Sequence, residues 1–167
     1  VIGTPLWDPL TGAPFALAHH KEELDRLPAI ERSATIITSS VAYPLLSAIF
    51  EELGEAVNVV AVNKEIGGLI TIEDFNRLNL EDIRETVLIP GMVLAHDREI
   101  RQALRRDGVR RLVFRGPDAL TVESERSIYL TREEVIAREL EAFSGLIFQI
   151  NELGGDLEES SSGRQLQ

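Results

Sequence analysis

The chain contains no cysteine, which excludes disulfides, thiolate metal sites and cysteine-ligated clusters within it. Cationic charge is also scarce: 17 Lys and Arg stand against 28 Asp and Glu, for a formal net charge of −11. That balance argues against nucleic acid or an anionic membrane surface as the main partner. Long apolar runs are missing as well. None approaches the roughly 18 residues needed to span a bilayer, and no signal peptide is visible. A cytoplasmic location is the expectation. Familiar catalytic signatures are lacking too: there is no Gly-x-Ser-x-Gly elbow, no Gly-x-Gly-x-x-Gly and no P-loop spacing. The histidines do not have metal-site spacing, because His19 and His20 are adjacent and His96 is distant, beside Asp97.

What is present is an ordinary globular composition. The chain's 167 residues, 44% of them apolar, suffice for one domain with a sizeable core. It begins with Val1 rather than Met, the mark expected of a fragment or processed product. Residues 1–33 form an arm punctuated by Pro5, Pro9, Pro14 and Pro28, with a short helix predicted over 15–27. The main unit is predicted to span 34–154, and a polar, disordered tail 155–167.

Within that unit, strands and helices alternate. Strands are predicted at 34–38, 57–62 and 86–90, the second covered on both faces. A helix follows the first strand and stops at Gly54. The stretch 69–71 reads as a short strand, and Thr71 with Asp74 as a capping box. A further helix is predicted over 96–108, with Asp97 as N-cap and Gly108 as stop. Short strands are expected at 111–115, 119–123 and 127–131. Thr131 and Glu134 open a final helix to about Leu153, whose apolar positions 135, 136, 140, 143, 147 and 150 share one face. The fold class is therefore α/β: a mainly parallel sheet with crossover helices, a short C-terminal β segment and a long last helix.

In such sheets, ligands bind at the carboxyl ends of the strands, which selects the loops 38–40, 63–68 and 90–92. Each has two readings. Thr38-Ser39-Ser40 suits an anion or a polar cofactor arm, or simply caps the next helix. In the second loop, Gly67 and Gly68 permit close approach to a flat ligand, or make a turn. Lys64 and Glu65 contact a ligand, or pair at the surface. The acidic runs, including 133–141, read as solvated helix faces, and Arg105-Arg106 with Arg110-Arg111 as a solvated turn.

Larger patterns resemble a known family. VNVVAVNKEIGGLITIEDF (57–75) and ETVLIPGMVLAHD (85–97) resemble the C-terminal region of a methanogenesis marker protein family. So do DPLTGAPFALA, ATIITSSVAYPLL, RGPDALTVESE and GLIFQINELG, so that the likeness runs from Val1 to about Gly154. These are cobalamin-dependent radical S-adenosylmethionine (SAM) enzymes that methylate an arginine of methyl-coenzyme M reductase. A more distant likeness is to a domain of unknown function appended to other radical SAM proteins. The resemblance implies an iron-sulfur cluster and an S-adenosylmethionine site in an upstream radical SAM domain. It implies the reductase's alpha subunit as protein substrate, and a cobalamin site partly walled by the present segment. Gly67 and Gly68 would approach the corrin ring. Lys64, Glu65 and the hydroxyls of Thr38, Ser39 and Ser40 would bond its amide arms, while Ile66, Pro90, Gly91 and Met92 complete the wall. The sequence lacks Asp-x-His-x-x-Gly, so no lower axial histidine is supplied, and Leu69 is expected to cover the lower face of cobalt without ligating it. The competing expectation is a docking domain without cobalamin.

Overall fold

Ala34–Thr38 (β1), Val57–Ala61 (β2), Thr86–Ile89 (β3) and Leu112–Arg115 (β4) form one sheet in the order β2-β1-β3-β4. Their β-branched and apolar residues suit buried parallel pairing. This computed structural model of the protein describes residues 16–65, 67–117 and 129–161. All the pairings are parallel: Ala34 to Thr38 lie opposite Val57 to Ala61, Thr35 opposite Val87, and Thr86 to Ile89 opposite Leu112 to Arg115. Both β1 and β3 are buried throughout. By contrast, β2 is an edge strand, partly exposed from Asn58 onward, and so is not the doubly covered strand its apolar run suggests.

The helices lie where crossover handedness requires. The chain steps from β1 outward to β2, then returns across β1 to β3. Right-handed connections in opposite directions place their helices on opposite faces. Accordingly, Leu46, Ile49 and Phe50 of Tyr43–Leu53 (α1) share one core with Leu17 and with Phe143, Ile147 and Ile150 of Arg132–Ser161 (α4). The Phe50 and Phe143 rings lie 6.0 Å apart. Phe75 of Ile72–Asn76 (α2) and Ile100 of Asp97–Ala103 (α3) share the other core with Leu104 and Ile83. The expected stripe on α4 is buried at all six positions, Val135, Ile136, Leu140, Phe143, Ile147 and Ile150.

Several local expectations are corrected. Residues 69–71 are not a strand: Gly67–Leu69 is a 3-10 turn, and among the described residues β2 ends the sheet on that side without another neighbour. Two 3-10 helices, Ala16–His19 and Lys21–Arg26, replace the single helix. His96 rather than Asp97 is the N-cap of α3, its Nδ1 accepting from the Arg98 N–H at 3.4 Å. That helix ends at Ala103, and turns lead to Gly108 at φ +87°. Residues 119–123 and 127–128 lie outside the described residues, and 129–131 are not strand. The backbone of α4 continues to Ser161, since Gly154 and Gly155 weaken a helix without forbidding its dihedrals.

Two charges read as solvated are structural. Glu139 is fully buried, and its carboxylate accepts the Ala16 and Leu17 N–H groups at 3.1 and 2.9 Å. Arg111 is also buried. Its guanidinium donates to the carbonyls of Ile83, Leu104 and Leu80 at 3.1, 3.0 and 2.8 Å, and to Asp107 at 2.7 Å. It thereby joins α3's exit to the segment before β3. Replacing Arg111 with Leu removes these four donor contacts, although Leu80 keeps the Ile83 N–H and Asp107 the Val109 N–H, and should lower unfolding free energy by about 3 kcal/mol in urea denaturation. An unchanged urea midpoint would show that the staple is dispensable.

Candidate functional site

The sheet order brings the selected loops side by side. β1 and β3 are neighbours whose connections leave in opposite directions, so the crevice beyond their carboxyl ends is the topological switch point. The loops after β2, β1 and β3 therefore line one edge in that order. A direct bond joins the first two: the Ser40 N–H donates to the Lys64 carbonyl at 2.7 Å.

In the β1 loop, Thr38 and Ser39 are buried. Ser39 Oγ accepts the Ala42 N–H at 3.3 Å, and its carbonyl accepts from Tyr43 at 3.1 Å. Ser39 thus bonds the turn that leads into α1, whose N-cap is Ala42. Ser40 is exposed, and Tyr43, the first residue of α1, is partly exposed on the same edge.

The β2 loop is organised by Asp74, whose side chain is almost completely buried. Lys64 Nζ donates to Asp74 Oδ1 and Oδ2 at 2.9 and 2.8 Å. The Thr71 N–H and hydroxyl donate to Oδ2 at 2.8 and 3.1 Å, completing the capping box of α2. Lys64 thus has an intramolecular partner. Glu65 is exposed. Ile66 lies outside the described residues.

Gly68 has ordinary backbone geometry, since positive φ among the described glycines occurs at Gly54 and Gly108. A Cβ placed on Gly68 would meet nothing within 4 Å. Among the described residues, neither dihedral nor packing therefore requires glycine there. Leu69 beside it is 52% exposed, whereas Ile70 is buried at 2%. One leucine is held outward while its neighbour enters the core.

The β3 loop is shaped by Arg115, the last residue of β4. Its guanidinium donates to the carbonyls of Gly91, Val93 and Ala95 at 3.0, 2.5 and 2.8 Å, and to Asp97 Oδ1 at 2.8 Å. Pro90, Gly91 and Met92 are half-buried, and Leu94 is 86% exposed. The sequence reading missed Arg115, Tyr43 and Leu94. The one available signal was Arg115's place at the carboxyl end of a strand, where its side chain can reach the preceding loop.

Taken together, the edge presents Tyr43, Leu69 and Leu94 as exposed apolar side chains, with hydrogen-bonded backbone behind them. Such a surface suits contact with an apolar face more than acid-base chemistry. Among the described residues, no group of His, Asp and Glu gathers as a metal-binding set. No helix among them is long and apolar enough to cross a membrane. A concavity of about 510 Å³ lies at the opposite, amino-terminal edge, lined by Leu78, Asn79, Leu80, Glu81, Arg106 and Asp107. Arg106 is committed there to the carbonyls of Phe75, Ala103 and Leu78 at 3.1, 2.7 and 2.5 Å.

No protein-family model matches the chain, and a search of curated proteins also finds no match.

Burial favours the neutral form of Asp74, but the Lys64 ammonium and the Thr71 donors outweigh it and hold the carboxyl below its ordinary value of 3.8. The group thus contributes its full stability above that value, and loses it as pH falls through the lower folded-state pKa. Asp74→Asn should cost about 1–3 kcal/mol at pH 7. It should also reduce the loss of stability on acidification from about pH 5 to pH 3. Identical pH profiles of urea stability for variant and wild type would contradict this.

Proposed function

We propose that this chain is the C-terminal portion of a cobalamin-dependent radical SAM methyltransferase that C-methylates an arginine of methyl-coenzyme M reductase. In this reading the protein works in the cytoplasm. An upstream domain holds the iron-sulfur cluster and S-adenosylmethionine, and the present segment forms one wall of the cobalamin site. The sequence resemblance supplies the chemistry; the single structural observation that supports it is the open step at Gly68-Leu69 on the switch-point edge. There, a glycine that nothing among the described residues requires adjoins a leucine held outward.

The fit of the residues is uneven, and this narrows the site. Gly68 and Leu69 suit a flat, largely apolar ring face, with Tyr43, Met92 and Leu94 on neighbouring loops of the same edge. Ser40, Asn63 and Glu65 are exposed polar groups on these loops and would meet the ring's amide arms. Ser39 and Lys64 are engaged within the protein and Thr38 is buried, so in this reading they shape the wall rather than contact the ligand. When bound, cobalamin would supply the transferable methyl group. The chain's own share is to position the ring, exclude water and present an apolar side chain rather than a nitrogen donor. His96 is taken up as the cap of α3, in keeping with that division.

The test is a titration of the full-length protein with hydroxocobalamin, followed by visible absorbance. Because space is open at Gly68, Gly68→Trp should leave the melting temperature nearly unchanged while weakening binding by about tenfold or more, as expected when bulk fills a contact surface. Leu69→Ala should weaken binding by a smaller factor, about fivefold to tenfold, at little cost in stability because the side chain is already half in water. Equal affinity of wild type and Gly68→Trp would move the cofactor elsewhere. It would then favour a docking role for this domain.

A further inference from the structure

We infer that Lys64 and Asp74 are positioning residues: they form a clasp that fixes the Gly67–Leu69 tip, and Lys64 itself does not touch the ligand. The loop leaves β2 and returns at α2, and both of its ends meet on one carboxylate. At one end Lys64 Nζ binds both Asp74 oxygens at 2.9 and 2.8 Å. At the other, Thr71 gives Oδ2 its N–H and its hydroxyl at 2.8 and 3.1 Å. A further tie holds the first end in place, because the Lys64 carbonyl accepts the Ser40 N–H at 2.7 Å. The clasp therefore also sets the loop after β2 against the loop after β1.

The segment it encloses has reason to need such a device. Two adjacent glycines give a chain the widest backbone freedom, so an unfastened loop of this composition loses much entropy on taking one shape. The shape it takes is specific: Ile70 is buried at 2%, while Leu69 one residue earlier stands 52% exposed. A leucine left half in water gains only part of what full burial would give, so burial alone does not select this position. Fixed ends do. An ordinary surface ion pair contributes too little for this task, but here the acid is buried and accepts four donor contacts at short distances. The motif that reads as two loose charges beside Gly-Gly is thus a fastening for the residues after it.

The part of this inference that concerns the ligand rests on the cofactor reading above, whereas the part that concerns the loop stands apart from it. Two readouts separate them: backbone 15N relaxation at Gly68 and Leu69, and hydroxocobalamin titration. Wild type should show order parameters near the rigid value of about 0.85 at both residues, and Lys64→Met should drop them below about 0.6. Lys64→Arg, which keeps the charge and the reach, should restore most of the order. The dissociation constant should rise about tenfold or more in Lys64→Met and recover in Lys64→Arg, as expected when the support of a contact residue is removed. Unchanged order parameters in Lys64→Met would overturn the clasp. A rise in dissociation constant with the loop still rigid and no rescue by arginine would also overturn it, by showing direct contact of Lys64 with the ligand. Loosening of the loop in Lys64→Met, together with no hydroxocobalamin binding by wild type, would support the clasp and overturn the cofactor reading alone.

Discussion

The buried carboxylate of Asp74 is the group on which the candidate site depends. A carboxylate taken out of water must be met by donors, and here they come from both ends of one loop, Lys64 and Thr71. Satisfying that charge therefore determines the path of the loop between them. The path in turn leaves Gly68 facing open space and Leu69 in solvent on the edge where α/β sheets bind ligands. Electrostatics at one carboxylate thus sets the shape of an apolar surface several residues away.

The same strategy recurs elsewhere in the domain. Arg115 gathers the carbonyls of Gly91, Val93 and Ala95 and so fixes the loop after β3. Arg111 does the same for Ile83, Leu104 and Leu80 at the opposite edge. Glu139 receives two backbone N–H groups at the start of the first 3-10 helix. The elements between these points are short, and loops carry much of the chain. Ionic side chains that saturate backbone groups give those loops defined positions that apolar packing alone would leave less determined.

The alternation of apolar strands with helical periodicity was legible in the residues, and β1, β3, α1 and the buried stripe of α4 fall where those patterns place them. The capping boxes at Thr71 and Thr131 were legible too, because they depend on residues three apart. The functions of Lys64, Arg111 and Glu139 were not. Each depends on a partner brought near by the fold, and a charge with a buried partner looks in sequence like any solvated charge. Residues 69–71 failed for a related reason, since a β-like triplet becomes a strand only where the sheet offers a neighbour. For the site, position was readable from the strand-end rule. The division between contact residues and supporting residues required the hydrogen bonds.

The central claim is that the Gly68-Leu69 step on the switch-point edge is the surface that receives a corrin ring. The most direct measurement is an experimental structure of the full-length protein bound to hydroxocobalamin. The account predicts the ring against this edge, Leu69 within about 4.5 Å of it, and Lys64 still on Asp74. A ring seated on another face of the domain, or His96 withdrawn from its cap to ligate cobalt, would contradict it.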